Sequence, residues 1–398
     1  MTPLDIARLR LANHQITAHT SKTPQEVVAA LGAIQAQDYR SALWAVGLRL
    51  SEASEADIER AVAGGAIVRT WAMRGTLHFL ASADVRWILG LLAPRIMAGS
   101  AYRRRQLEID DLTLARSRDL FADALFHGRL LARDESMNLL EGAGIKTTGQ
   151  RGIHILRQLS LEGLLCQATV KGRQPTFALL DEWVPEAETM DREDALAELA
   201  CRYFGSHGPA TLRDFVWWSG LTAADAKAGI ELAKTRLARE KADDAVYWMP
   251  AKSSASQQVA PVVCLLPGFD EYILGYADRE IAMDAVAFQR IVPGGNGVFR
   301  PTIVVDGRVV GTWRLGNKTS ASPVIDLFSS LDAAASHSLT KALRDYEGFA
   351  RGPLHPPDQQ FRQTVLDLTS GWRENGGEPG GRLNLVVGPP VRMVRRSA

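Results

Sequence analysis

Residues 67–80, Ile-Val-Arg-Thr-Trp-Ala-Met-Arg-Gly-Thr-Leu-His-Phe-Leu, constrain the fold more than any other stretch of the chain. Two β-prone runs meet at Arg74 and Gly75, and glycine supplies the positive φ that a tight hairpin turn requires. Helical patterns precede the segment over 3–19, 24–34 and 55–62, so the expected order is helices followed by a two-stranded wing. A two-residue turn would set Met73 opposite Thr76, Trp71 opposite His78 and Arg69 opposite Leu80. Side chains alternate along a strand, so Arg69, Trp71 and His78 would then share one face.

The programme recurs downstream with different residues. Helices are expected over 113–126, 134–141 and 151–162, the second of them ended by Gly142-Ala143-Gly144. Strand-like runs follow at 164–170 and 176–180, around the basic turn Lys171-Gly172-Arg173-Gln174-Pro175. An acidic, proline-containing linker is expected over 181–191. A third helix pair, 212–218 and 223–237, brackets Ser219-Gly220-Leu221, and Thr222 with Asp225 forms an N-terminal capping signature. A helix starting at 82–85 is expected to run toward Pro94. From Pro261 the character changes to strands and turns, with Asp306-Gly307 between two Val-Val pairs as a strong hairpin signal. The loop 293–297 reads as a connector, and 352–398, rich in Gly and Pro with a basic finish, as a disordered tail.

At 398 residues and 46% apolar content, the chain has the size of two or three soluble globular domains. No stretch approaches the ~20 apolar residues of a membrane span, and the start Met1-Thr2-Pro3-Leu4-Asp5 lacks a signal pattern, so a cytoplasmic location is expected. Cys166, Cys201 and Cys264 stand singly, which suggests neither a disulfide framework nor a thiolate metal site. No Walker loop, dinucleotide fingerprint, His-Glu-x-x-His motif or serine elbow is present, and no metal or cofactor is implied. With 46 basic and 45 acidic residues, the net charge of +1 opposes the basic excess usual in nucleic-acid binders. Distribution tempers that: Arg103-Arg104-Arg105 with Arg116 and Arg118 concentrates positive charge, either as a solvated helix face or as part of a basic channel that holds phosphates.

Val27, Leu31 and Ile34 lay an apolar face along a helix that delivers Gln35 at its end. On a continuing helix, Gln35 and Gln37 would point about 200° apart, so the two amides reach one water only where the backbone extends or tightens. Two neutral amides hold a water but cannot deprotonate it, which limits the chemistry to substrates already activated. Asp38 follows and reads as a helix-end or salt-bridge residue.

Four separated segments now converge. Ile34-Gln35-Ala36-Gln37, Arg69 through His78, Leu266-Pro267-Gly268-Phe269-Asp270-Glu271 through Arg279, and Phe299 through Arg314 together resemble the winged-helix DNA glycosylases of the AlkZ/YcaQ type, which unhook interstrand DNA crosslinks. The similarity runs from about residue 3 to about residue 350. It implies an α+β fold of three tandem winged-helix units followed by a β-rich C-terminal region, divided at 1–110, 111–188, 189–255 and 256–350, with the tail at 351–398. The family's catalytic motif, glutamine, a nonpolar residue, then glutamine or aspartate, falls on Gln35 and Gln37. The implied substrate is double-stranded DNA with alkylated or crosslinked purines, handled by a monomer without a cofactor. A purine alkylated at N7 is already cationic and needs no protonation to leave, so placing a water and stabilising the sugar cation suffice. The roughly 10²–10⁴-fold help of a general base is forgone.

A crosslinked base cannot swing freely into a closed pocket, which calls for an open basic channel. Expected DNA contacts are Arg69 and Arg74 to phosphate, His78 to the lesion or backbone, Lys171 and Arg173 at a wing tip, and Tyr276, Arg279 and Arg314 in the C-terminal region. Asp270, Glu271 and the Trp217-Trp218 pair read as structural. Two rival readings are a winged-helix regulator and a protein-interaction scaffold. Against the regulator, 134–141 offers one Asn and three acids to a major groove.

Overall fold

The computed structural model describes residues 1–172, 174–184, 187–242, 244–251, 261–315 and 323–351. Helix α1 (Pro3–Asn13) starts in a capping box between Thr2 and Asp5 and stops at Asn13, well before 19, with Gln15 at φ 59°. Helix α2 (Pro24–Leu31) also ends early, because Gly32 turns the chain at φ 78°. The chain re-enters as the two-residue strand β1 (Ile34–Gln35), so the expected backbone break is real and Gln35 sits on a strand. Asp38 is a helix-end residue: its carboxylate accepts from the Ser41 amide at 2.8 Å and caps α3 (Tyr39–Gly47), a helix that the apolar pattern did not announce. Helix α4 (Glu55–Ala63) and the hairpin of β2 (Ile67–Trp71) and β3 (Leu77–Ala81) complete the first unit.

Helices α5 (Val85–Gly99) and α6 (Ala101–Gln106) lead into a second unit of the same order: α7 (Asp111–Leu125), β4 (Leu131–Ala132), α8 (Arg133–Gly142), α9 (Arg151–Leu161), β5 (Leu165–Lys171) and β6 (Gln174–Leu179). The two hairpins pair at one point, Arg69 opposite Gln167, and merge their strands into a six-stranded sheet ordered β1-β3-β2-β5-β6-β4. Much of the expected linker is pinned: α10 (Leu180–Trp183) opens it, and the Glu188 amide donates to the Ala83 carbonyl at 3.0 Å. A third unit follows with α11 (Arg192–His207), α12 (Leu212–Ser219), α13 (Ala223–Ala233), β7 (Leu237–Ala242) and β8 (Ala245–Pro250), where a bridge from Ala210 to Trp248 stands in for a first strand. Gly220 at φ 72° and the Thr222 cap of α13 match the sequence reading, whereas α11 and the β7–β8 hairpin were not anticipated.

The C-terminal region holds β9 (Val263–Leu266), α14 (Glu271–Leu274), α15 (Ala285–Ile291), β10 (Thr302–Val305), β11 (Arg308–Arg314), β12 (Val324–Leu327) and α16 (Ala333–Arg351), with the sheet ordered β12-β11-β10-β9. Asp306 and Gly307 both take positive φ, 47° and 85°, as a two-residue hairpin turn needs. Trp44 of α3 donates to the Leu265 carbonyl at 2.7 Å, and α16 lays Tyr346 and Phe349 against the same indole. The expected tail lies outside the described residues. Among the described residues, no helix is long and apolar enough to cross a membrane.

The first hairpin departs from the expected register. Trp71 pairs with Leu77, Thr70 with His78 and Arg69 with Phe79, because a 3-10 turn over Met73–Gly75 lengthens the connection and Arg74 sits at φ 53°. Arg69 and Trp71 therefore share one face while His78 lies on the other, beside Thr70.

Candidate active site

Strand β1 is the edge of the six-stranded sheet, and Gln35 lies opposite His78 of β3. The Ala36 amide donates to the Leu77 carbonyl at 2.8 Å. In a regular antiparallel ladder, the Ala36 carbonyl would return that bond to the Leu77 amide. Arg69 takes it instead, with Nε at 3.0 Å and Nη2 at 2.7 Å. The vacated Leu77 amide donates to the side-chain oxygen of Gln37 at 3.3 Å. The chain leaves the sheet at this point, and Gln37 becomes exposed while Gln35 stays half-buried.

The opposite side of the segment is held by Glu271. Its Oε1 accepts from the Gln35 amide at 2.9 Å and its Oε2 from the Trp218 indole at 2.9 Å, with His207 Nε2 3.7 Å away. Burial pushes this carboxyl up. The His207 imidazole and the Arg74 guanidinium outweigh burial and hold it low, at about 2. Asp270, next to it, caps α14 and makes a two-pronged ion pair with Arg49, both bonds at 2.9 Å and both side chains fully buried. The pair ties the end of α3 to α14, and α14 carries the carboxylate that fixes Gln35. Sequence reading ranked Asp270 and Glu271 as structural, and the structure adds that their positioning acts on the glutamine segment itself.

Arg69 is not a surface cation. It is 9% exposed, spans Ala36 and Gln167 (Nη1 to Oε1, 2.7 Å) and lies under Tyr39, and burial draws it down to about 10. His78 is 1% exposed; its Nδ1 meets the Thr76 carbonyl at 3.0 Å, and burial lowers it to about 4, so the ring is neutral at pH 7. Among the described residues, His78 Nε2 and the Thr70 hydroxyl have no hydrogen-bond partner and the Gln35 side-chain amide makes no hydrogen bond. Gln35, His78 and Thr70 thus form a row across β1, β3 and β2 with hydrogen-bonding capacity left over.

Tyr276 also belongs inside. At 1% exposure its hydroxyl donates to the His207 carbonyl and meets His14 Nε2, which leaves no surface for a duplex. Arg279 is half-buried, with its guanidinium 5.4 Å from the Trp217 and Phe299 rings and Nε on the Ile273 carbonyl. Arg74 is partly buried and donates to the Trp218 carbonyl. Lys171 is exposed and pairs with Glu135 at 2.9 Å, and Arg314 is exposed at the end of β11. Arg173 lies outside the described residues. Trp218 is fully buried, whereas Trp217 is 47% exposed.

The model of the family described as DNA glycosylase AlkZ-like matches residues 28–349. The chain belongs to that family. An interstrand DNA cross-link repair glycosylase from Streptomyces sahachiroi is 27% identical over 328 residues, which is 77% of this chain and 86% of that protein. The solved structure of the DNA glycosylase AlkZ from Streptomyces sahachiroi superposes with a TM-score of 0.73 at 22% identity, covering 89% of this chain and 99% of the other. The mixed helix and sheet architecture is therefore that of AlkZ. Membership makes the chain an enzyme acting on DNA, while the geometry around Gln35 has its own local logic.

Proposed function

We propose that this glycosylase excises purines alkylated at N7, including those in interstrand crosslinks, by water-mediated hydrolysis of the N-glycosidic bond, with Gln35 and Gln37 placing the water. One observation carries the reading: the Gln35-Ala36-Gln37 segment is held between Arg69 on its carbonyl side and Glu271 on its amide side, with the Gln35 side chain making no hydrogen bond among the described residues. Preorganised dipoles act without reorganising as charge develops. The Gln37 oxygen spends one lone pair on Leu77 and keeps another. Neither amide removes a proton, so the reaction falls to lesions whose base leaves as a neutral molecule from a cationic nucleoside. A water nucleophile makes the enzyme monofunctional. Arg74, Lys171 and Arg314 are retained as contacts to duplex phosphates; Arg69 and His78 act from within.

The test is release of free base from duplex carrying N7-alkylguanine. Gln35→Ala and Gln37→Ala should each slow release by about 10²-fold, the scale of removing one positioned dipole, while duplex binding persists. Unchanged release in both would remove the amide mechanism.

A further inference from the structure

Four arginines line a cleft of about 640 Å³ where the three units meet: Arg74 at the tip of the first hairpin, Arg95 on α5, Arg157 on α9 and Arg192 at the start of α11. Asp225 is the one carboxylate on the lining among the described residues, and Arg192 holds it at 2.7 Å. The other three make no ion pair among the described residues. Arg74 donates to the Trp218 carbonyl, Arg95 Nε to the Gly220 carbonyl at 3.0 Å, and Arg157 to the Gly75 carbonyl at 3.2 Å and the Ser100 hydroxyl at 3.0 Å. Neutral acceptors orient all three guanidinium groups; Arg74 also feels the Glu271 carboxylate and Arg95 the Asp225 carboxylate, whereas Arg157 has no acid acting on it among the described residues.

The turn is shaped to admit Arg157. Gly75 takes φ 78°, and a Cβ there would lie 2.1 Å from Arg157 Nη2. Gly220, at φ 72°, packs against the Arg74 stem at ordinary contact distance, with its would-be Cβ 3.5 Å from Cγ. Gly75 thus clears room for a guanidinium group in a protein of net charge +1. Four guanidinium groups against one lining carboxylate leave an excess of positive charge in one concavity among the described residues, which calls for an anion.

We propose that this cleft is a phosphate-binding site that grips the sugar-phosphate backbone of the DNA strand, with Arg95 and Arg157 as its principal contacts. The proposal rests on the reading of the chain as a duplex-acting glycosylase and assigns part of its grip to a place distant in sequence from the glutamine pair. A planar guanidinium presents paired N–H donors that match two phosphate oxygens, which a lysine does not reproduce. The site carries no sequence information, so its effect is equal on damaged and undamaged duplex.

The experiment measures affinity of the full chain for undamaged duplex as a function of salt, beside base release from alkylated duplex. Arg157→Ala and the exposed Arg95→Ala should each weaken binding and lower the slope of log affinity against log salt by about 1, and the double variant by about 2. Arg157→Lys should restore the slope and only part of the affinity. Thermal unfolding verifies that each variant is folded, and exposed Arg95 keeps the test open if Arg157→Ala is not. Slopes equal to the parent's in folded variants overturn the site, even where base release continues. Lost slopes with no base release from the parent uphold the site and fell the glycosylase reading. Inorganic phosphate at constant ionic strength is the remaining arm. If it raises the melting temperature of the parent but not of Arg157→Ala, while the duplex slopes stay put, the cleft serves a small phosphate and the backbone assignment is wrong.

Discussion

The first and second hairpins hold the same place in their units and meet opposite fates. Every residue of β2 and β3 is buried, whereas β5 and β6 run out to an exposed tip at Lys171 and Gly172. Position in the assembly decides this. The first hairpin lies between three cores: Ile67 and Phe79 pack with α2, α3 and the C-terminal sheet, Trp71 and Leu77 with the second unit, and Val68 and Leu80 with the third. It has become a keystone that carries the Gln35-Ala36-Gln37 segment on its outer edge. The second kept an exposed end, where Lys171 pairs with Glu135 at the surface. The same motif thus supplies rigidity in one copy and reach in the other.

The largest effect that tests this contrast comes from the cations. Arg69→Met should cost about 3 kcal/mol in a denaturant titration, because it strands the Ala36 carbonyl and Gln167 in the interior. The loosened segment should also slow base release by about 10²-fold. Lys171→Met should change stability by less than about 0.5 kcal/mol. Equal losses would mean that the first hairpin is no keystone.

Titration gives the next. The folded-state value of His78 lies below the unfolded 6.5, at about 4, so its contribution is fully present above pH 6.5 and fades as pH falls toward 4. The loss amounts to about 3 kcal/mol at the bottom of that window. Unfolding free energy measured from pH 7 to pH 4 should fall less steeply in His78→Gln than in the parent. Parallel curves would place the acid sensitivity elsewhere.

Glycine offers a matched pair. Gly75 and Gly172 both take positive φ, 78° and 66°, but a Cβ at Gly172 meets open space while one at Gly75 meets Arg157. Gly172→Ala should cost about 1 kcal/mol for the backbone conformation alone, and Gly75→Ala about 2–3 kcal/mol. Melting temperatures that drop equally would show that Arg157 moves aside freely. The smallest effect belongs to Lys171→Ala, which should lower the salt slope of duplex binding by about 1 with the melting temperature unchanged. A shift in melting temperature would assign the lysine to its pair with Glu135.

Local chemistry in the sequence was a sound guide to local structure. The Asp306-Gly307 turn, the Thr222 cap, the Gly220 turn and the break at Gln35 each rest on a few neighbouring residues, and each is found. The failures are non-local. Arg69 looked like a phosphate ligand because a charged residue on an isolated hairpin faces water; docking of β5, nearly a hundred residues away, turned it into an internal clamp. The hairpin register slipped because the turn recruited Met73 into a 3-10 bend, with Arg74 at positive φ. Tyr276 carried a polar handle that the buried histidines use. Arg157 and Arg95 had no sequence signal, since what sets them apart is that the fold brings them together with Arg74 and Arg192 on one cleft.

The six-stranded sheet ends on both sides in strands of two residues, β1 and β4. A bare strand edge is a template onto which another chain can zip, and short borders give it little to copy. At the β1 border even that remnant is occupied, since the outward amide of Gln35 already belongs to Glu271. The hydrogen bond that fixes the Gln35 backbone therefore also caps the border against self-association, and weakening it should make the protein stickier.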